Sequence, residues 1–462
     1  MTSQKQSQIT NEILQGNLIK LMFKLSIPSI LGILMLSLNT LLDALFAGRF
    51  IGETALAGMS LALPLTGIIN GFALLVGVGS ASVLSRAIGS GDIKTQSKIF
   101  GNLIVMSVVI SLLLTIIGYR FGEELIVLMG GSGEVALAGT KYFKIYIFGS
   151  VFLILGEACS EVIKSQGIMR IPTIFGSIFV ILNILLNYIF ITIFHWGIEG
   201  IALATVIAMI VYSILNLAYF LIGKSSISVN YKKIVIAINL LPAILSVGVS
   251  QLLYPVMDLV QNFVIYKSIS YYGTDTDIAF YGAAGTLAFF GLIPIYGFAQ
   301  ALQPIIGMNY GARNYDRLKK AYITFAIIAT LLLILTWLPL LLFPKIFLEL
   351  LLPNVNFTNN DVINFRILRT LLPIWTLAVF SNTLFISIGK GLIVASVIVT
   401  RSLILCLPLV LVFSRMLGVR GVYCGIIATD ILVVLIVIVL TIIEFKKLAK
   451  NHEKYVDEKF GQ

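Results

Sequence analysis

Long apolar runs of helical length, separated by short polar connections, recur along the whole chain. Twelve are read, at 22–47, 55–78, 99–119, 142–163, 173–194, 198–222, 240–268, 279–304, 319–343, 365–388, 391–413 and 419–444. Each approaches or exceeds the ~20 residues an α-helix needs to cross the hydrocarbon core. No stretch alternates polar and apolar positions in the manner of a barrel strand. The pattern predicts an all-α integral membrane protein of twelve spans, the first and seventh long enough to tilt or bend. Pro28, Pro64, Pro242, Pro255, Pro294, Pro304, Pro373 and Pro408 fall inside spans. Each removes a backbone donor that lipid cannot replace, so kinks are expected. A bend at Pro28, in the first span, could be the moving part of a gate.

The runs form two sets of six. Trp196-Gly197-Ile198-Glu199-Gly200-Ile201 opens the sixth span, and Leu417-Gly418-Val419-Arg420-Gly421-Val422 opens the twelfth, 221 residues further on. Gly71-Phe72-Ala73 in the second span is answered by Gly297-Phe298-Ala299 in the eighth, after 226 residues. An even number of spans per set gives both sets the same orientation, hence a parallel repeat about an axis along the membrane normal. The expected organisation is an N-terminal lobe at 1–222, a charged cytoplasmic linker at 223–233, and a C-terminal lobe at 234–462 ending in a basic tail. Such lobes enclose a central cavity that opens to either side.

Composition agrees: 58% of residues are hydrophobic and 11% charged, and the mean hydropathy is +1.02. The net charge of +11 would suit nucleic acid or acidic lipid, but its distribution gives another reading. With the N-terminus inside, 21 of the 32 basic residues fall on cytoplasmic segments, which is the topogenic bias. The expectation is a multi-pass protein of the plasma (inner) membrane with both termini cytoplasmic, a monomer in lipid without a nucleic-acid partner. Residues 1–17 are too polar for a signal peptide. Cys159, Cys406 and Cys424 lie in apolar segments without metal-ligand spacing and read as packing residues. The chain has no P-loop and only two histidines, His195 and His452. No nucleophile constellation or cofactor motif is present.

A carboxylate within a span costs a few kcal/mol and calls for a reason. Asp43 lies toward the outer end of the first span. Asn183 and Asn187, in the fifth, are i,i+4 and share a helical face. Thr205 lies in the sixth. Counting 1.5 Å per residue from the outer ends puts all four within one layer, ~10–15 Å deep. One carboxylate, two amide carbonyls and a hydroxyl suit a hard cation such as Na+. They would equally serve a proton taken up by the carboxyl. The alternative is a hydrogen-bond network that joins helices. In the seventh span Asp258, with Gln251 at i−7 and Asn262 at i+4, forms a polar stripe, either a second coupling site or a cavity lining. Tyr254 on that stripe, Asn39 in the first span and Glu157 in the fourth are further candidates for the substrate cavity. Glu161 reads as an interfacial partner of Lys164. Arg401 and Asp430, at similar depth in the last two spans, read as a structural ion pair, with a coupling role for Asp430 second.

Gln303-Pro304-Ile305-Ile306-Gly307-Met308-Asn309-Tyr310-Gly311-Ala312-Arg313-Asn314-Tyr315 closely resembles the "QPIIGYNYGA" stretch of the multidrug and toxic-compound extrusion (MATE) family. Ile19 to Gly32 resembles that family's entry into its first helix, and Asp43-Ala44-Leu45-Phe46-Ala47-Gly48-Arg49 its "VDTIFVGRLG" pattern. Ser165-Gln166-Gly167 with Arg170 and Pro172, and Ile388-Gly389-Lys390, are similar to its loops after the fourth and tenth helices. The resemblance covers nearly the whole chain and implies two facing six-helix lobes and cation-coupled export of organic molecules. Asn183-x-x-x-Asn187-Tyr188-x-Phe190-Ile191 resembles the cation-site helix of one branch. Another branch has Asp at the position of Asn187, so this chain carries one fewer charge there, and Na+ and H+ both stay open as the coupling ion. Asp258 matches the coupling acid of some members by helix only. The rivals are a lipid-linked oligosaccharide flippase and a membrane-embedded lipid transferase. The first needs a basic cavity, against which Arg401 stands alone in mid-span. The second needs a polar catalytic loop, and neither the linker nor residues 344–364 hold an acid–base set.

Overall fold

The computed structural model describes residues 2–223, 225, 236–353, 355 and 357–460. Most of the expected linker lies outside them. The described chain is helical throughout. A short helix, α1 (Thr2–Gln15), leads into α2 (Leu18–Phe46), whose cap Asn17 accepts bonds from the amides of Ile19 and Lys20. The first half continues with α3 (Glu53–Ser90), α4 (Ile93–Arg120), α5 (Gly122–Leu128), α6 (Gly133–Phe148), α7 (Ser150–Lys164), α8 (Arg170–Tyr188) and α9 (Gly197–Leu221). The second half holds α10 (Leu241–Tyr272), α11 (Asp275–Gly311), α12 (Tyr315–Leu342), α13 (Pro344–Leu351), α14 (Asn359–Arg369), α15 (Leu372–Ser387), α16 (Gly391–Val399), α17 (Leu407–Leu417) and α18 (Val419–Phe460). Among the described residues, eleven stretches are long and apolar enough to cross a membrane, and the bent pair α6–α7 makes the twelfth.

Several boundaries differ from the hydropathy reading. The second span continues to Ser90 instead of ending at 78, because Ser80, Ser82 and Ser85 lower the hydropathy yet are buried between helices. The fourth span starts at Gly133 and bends by 54° at Gly149, where a side chain would press on Val206 and Met209. The tenth begins at Asn359 on a Thr358–Asp361 capping box and is interrupted before Pro373. A helix, α13, stands where a long connection was expected. Helix α1 was not expected at all: its three apolar residues, Ile9, Ile13 and Leu14, are outnumbered by polar ones.

Packing divides the molecule in depth. One hydrophobic core holds residues of both halves, from Leu21, Leu84 and Val162 to Ile244, Ile305 and Phe385. It lies on the side that bears the chain termini. Toward the opposite side are two separate cores, one built only from the first half around Met59, Tyr146 and Ile201, the other only from the second around Phe280, Phe365 and Tyr423. The lobes therefore join at the terminal face and part at the other. The "QPIIG" segment is this seam: a methyl group on Gly311 would overlap the Arg86 carbonyl, and one on Gly307 the Ser85 side chain. Only glycine lets the two backbones meet so closely.

The internal repeat has a structural counterpart. Gly71 of α3 packs on Pro255 of α10 in the other lobe, and Gly297 of α11 packs on Ile30 of α2. Exchanging the lobes thus maps one contact onto the other. Gly197 and Gly418, which open the sixth and twelfth spans, both have positive φ, 58° and 61°.

Candidate functional site

Asp43 occupies the last turns of α2, one turn before the helix widens into a π-helical stretch at Ala47–Ile51. It is 7% exposed. Its Oδ1 accepts from Asn187 Nδ2 at 2.6 Å, and its Oδ2 accepts from Asn39 Nδ2 at 3.1 Å. Asn187 Nδ2 also donates to Asn183 Oδ1 at 3.0 Å, and Asn183 Nδ2 donates to Thr205 Oγ1 at 3.1 Å. The Thr205 hydroxyl in turn donates to the Ile201 carbonyl. The four residues grouped by depth are thus one hydrogen-bonded chain across α2, α8 and α9, and Asn39 joins it one turn before Asp43.

The electrostatics of this chain are one-sided. Among the described residues no basic side chain forms an ion pair with Asp43. Its partners are two neutral amides. Asn39 Oδ1 and Asn187 Oδ1 are buried and accept no hydrogen bond, which is uncommon for oxygens cut off from water. Exchanging the ends of the Asn187 amide would turn its carbonyl toward the carboxylate. A carboxylate flanked by two idle carbonyl oxygens fits a hard cation. The fit is incomplete in one respect: the Asn183 carbonyl, expected as a ligand, is already engaged by Asn187. Tyr142 and Tyr146 of α6 are buried within electrostatic reach of Asp43 and stack on each other at 6.0 Å between centroids. The sequence reading missed them. Their i,i+4 spacing in the fourth span was the available signal.

The second lobe arranges its charges differently. Arg401 lies in a π-helical stretch, Thr400–Cys406, between α16 and α17. Its Nε and Nη2 donate to Asp430 Oδ1 at 3.3 and 3.2 Å. Its Nη1 donates to Gln261 Oε1 at 3.1 Å, and its guanidinium lies 4.8 Å from the Trp375 ring centre. Gln261 was not anticipated, although it lies one helical turn from Asp258. On the polar stripe of α10 Asp258 is exposed and accepts from Asn262 Nδ2 at 3.0 Å. Tyr254, Asp258, Trp375, Asn382 and Arg401 line one pocket. Gln251 does not reach it and donates to Ser250.

Glu157 is half-buried and already partnered. Tyr212 donates to it at 3.0 Å, and Lys164 Nζ lies 3.9 Å away, shared with Glu161 at 2.8 Å. Gln300, from the other lobe, donates to Glu161 at 3.3 Å. This cluster belongs to the seam and lies apart from the Asp43 chain. Cys159 and Cys406 are buried packing residues, and Cys424 is half-buried.

Comparison with known proteins agrees with this architecture. A sequence model described as MatE matches residues 28–189 and 242–412. The multidrug export protein MepA of Staphylococcus aureus is 25% identical over 300 residues, 65% of this chain and 66% of that protein. The chain thus spans just under two thirds of the length of this curated relative. MepA of Staphylococcus haemolyticus is 24% identical over 317 residues, 68% of this chain and 70% of its own. Among solved structures, "MATE in the bent conformation" superposes with a TM-score of 0.90 at 23% identity, covering 96% of this chain and 99% of that one. An "outward-facing conformation of a multidrug resistance MATE family transporter" superposes with 0.88 at 22% identity, covering 95% and 98%.

Proposed function

The chain belongs to the MatE family, and from that premise we propose that it is a secondary antiporter exporting amphipathic or cationic organic compounds from the cell in exchange for inward sodium or protons. The observation that carries the reading is the Asp43 chain: a buried carboxylate without a basic partner, beside two idle amide oxygens. A group so placed is held for a mobile cation. The related proteins named for multidrug export support the substrate class.

In this reading the lobes are 1–222 and 234–462, joined by the cytoplasmic linker 223–233, in a protein of the plasma membrane. The positive-inside bias makes the terminal face cytoplasmic, so the joined seam is the inner side and the cavity opens outward. A cation entering from outside meets Asp43, Asn187, Asn183 and Thr205, reached through α2, α8 and α9. Substrate leaves by the same opening. Coupling follows if cation and substrate favour different conformations, because a ligand shifts an equilibrium only through differential affinity. Asp258, Tyr254 and Trp375 offer the other lobe's surface to a cationic, aromatic substrate. The flippase reading is disfavoured, since Arg401 is committed to Asp430, Gln261 and Trp375 and is not free to hold a pyrophosphate.

The test is uptake of a fluorescent organic cation into everted membrane vesicles, with sodium and proton gradients imposed separately. Gradient-driven uptake by the wild type that is absent in Asp43→Asn is the expected result. Uptake indifferent to both gradients would overturn the antiport reading.

A further inference from the structure

Helix α1 lies against the joined face and touches both lobes. On the first lobe, Ile9 and Ile13 pack on Gly167, in the turn between α7 and α8. Ile13 is fully buried in the shared core. Gln6 Nε2 donates to the Gln166 carbonyl at 3.2 Å. The chain also ties α1 to this lobe through Asn17, which caps α2. From the second lobe, Arg317 in the first turn of α12 donates through Nε to the Ile13 carbonyl at 3.0 Å and through Nη2 to the Gly16 carbonyl at 2.5 Å. Asn314 Nδ2 reaches the Leu14 carbonyl at 3.5 Å.

The Ile13 and Leu14 carbonyls are in the last turn of α1, where a helix offers no partner, and Gly16 follows its end. A guanidinium at that end satisfies them and complements the helix dipole. The Lys24–Glu12 pair at 2.5 Å is exposed and adds little. The second lobe therefore holds α1 by packing against α11 and by the Arg317 bonds, while the first holds it by burial and by covalent connection. When the lobes separate at this face, α1 cannot keep both sets of contacts.

We propose that α1 is a clasp across the terminal face: it holds the lobes joined, and Arg317 must release it before that face can open. The inference rests on the alternating-access reading above, and it assigns work to a segment that the transport mechanism does not use. An amphipathic helix lying on lipid is the other arrangement such a sequence supports. Here Ile13 is buried against protein instead.

The experiment is a spin-label distance measurement in nanodiscs. Labels go on exposed Lys94, in α4 of the first lobe, and exposed Lys446, in α18 of the second, with Cys159, Cys406 and Cys424 replaced by alanine. The full chain is compared with one lacking residues 2–15, with Arg317→Ala and with Ile13→Asp. In each variant the ratio of wide to narrow separations is expected to rise by about tenfold or more, as follows from losing a pair of charged hydrogen bonds or a buried anchor. Arg317→Lys is expected to fall between Arg317→Ala and the wild type, because it keeps charge but cannot bridge two carbonyls. If the deletion does not fold, the two point substitutions decide. Unchanged distances in the variants, with distances that still respond to substrate or cation gradients, would overturn the clasp and leave the transporter intact. Distances that respond to nothing would overturn both.

Discussion

Asp43 in the first lobe and Asp430 in the second are both carboxylates inside membrane spans, and their surroundings differ in one decisive respect. Asp430 has a guanidinium within 3.2 Å, itself steadied by Gln261 and Trp375. Asp43 has two neutral amides. In a low-dielectric interior a permanently paired charge is a closed account, whereas an unpaired one draws in a cation when access allows. The two lobes, built on one repeat, thus hold an intramembrane carboxylate in opposite ways. The second ties it to the π-helical stretch between α16 and α17; in the first, under the proposed antiport, it is left to respond to an ion. The distinction lies in the residue opposite the acid, and it runs against burial: the half-buried Asp430 has the cation, while the more deeply buried Asp43 has none.

The comparison breaks most visibly at Asp43. Asp43→Asn keeps size and hydrogen-bonding capacity but removes the charge, so gradient-driven export is expected to vanish while the protein still folds. A cation titration of export in vesicles, with detergent melting as the folding control, measures both. Wild-type pumping with unchanged cation dependence would remove the first-lobe site from the mechanism.

At Arg401 the expected loss is in stability. Arg401→Ala leaves Asp430 half-buried and without its guanidinium, a change expected to cost less than the about 3–5 kcal/mol of a fully buried pair, and Asp430→Ala is expected to do comparable damage. The double substitution should recover part of it, because neither charge is then left alone. Melting in detergent of the two single variants and the double gives the coupling. Strict additivity would mean that the pair does not stabilise the fold and would return Asp430 to the list of ion-responsive groups.

The Asp43 chain was legible in the sequence because depth can be counted along helices, and helical spacing set Asn183 and Asn187 on one face. The pairing of Arg401 with Asp430 followed from the same counting. What did not follow was anything that depends on how separate helices turn toward each other. Gln261 was missed because its i+3 spacing from Asp258 does not reveal that Arg401 reaches it from another helix. Tyr142 and Tyr146 were missed because counting along one span does not show that α6 brings them within electrostatic reach of Asp43. Glu157 read as a free acid because no count along one helix reveals that Tyr212 reaches it from another. The overall fold was legible from periodicity. Its closure at one face was not, since the glycines at the seam are as common in spans that face lipid.

Among the neutral members of the first-lobe chain, Asn187→Ala is expected to do less than Asp43→Asn. It removes one carbonyl and one donor to the carboxylate, each on the order of 1–3 kcal/mol when buried, so cation affinity falls while maximal export persists. Thr205→Ala should do less again, because Thr205 touches Asn183 and not the carboxylate. The half-saturating cation concentration for export reads both. Equal shifts in the two variants would mean that the chain acts as a rigid network and not as a graded ligand set.

The smallest effect is expected at Asp258, and it sharpens the comparison between lobes. This carboxylate is exposed to the pocket between Tyr254 and Trp375 and accepts a hydrogen bond from Asn262. Water in the open cavity solvates it, so losing its charge releases little buried energy and leaves no unpaired neighbour. Asp258→Asn should therefore leave melting unchanged and keep the cation dependence set by Asp43. It should lower transport of cationic compounds several-fold, within the roughly 1 kcal/mol that a solvated charge contributes, while sparing neutral ones. Flux of a paired cationic and neutral substrate in the same vesicles separates the outcomes. A loss of cation dependence in Asp258→Asn would mean that the second lobe also couples, and the functional division between the lobes would fall with it.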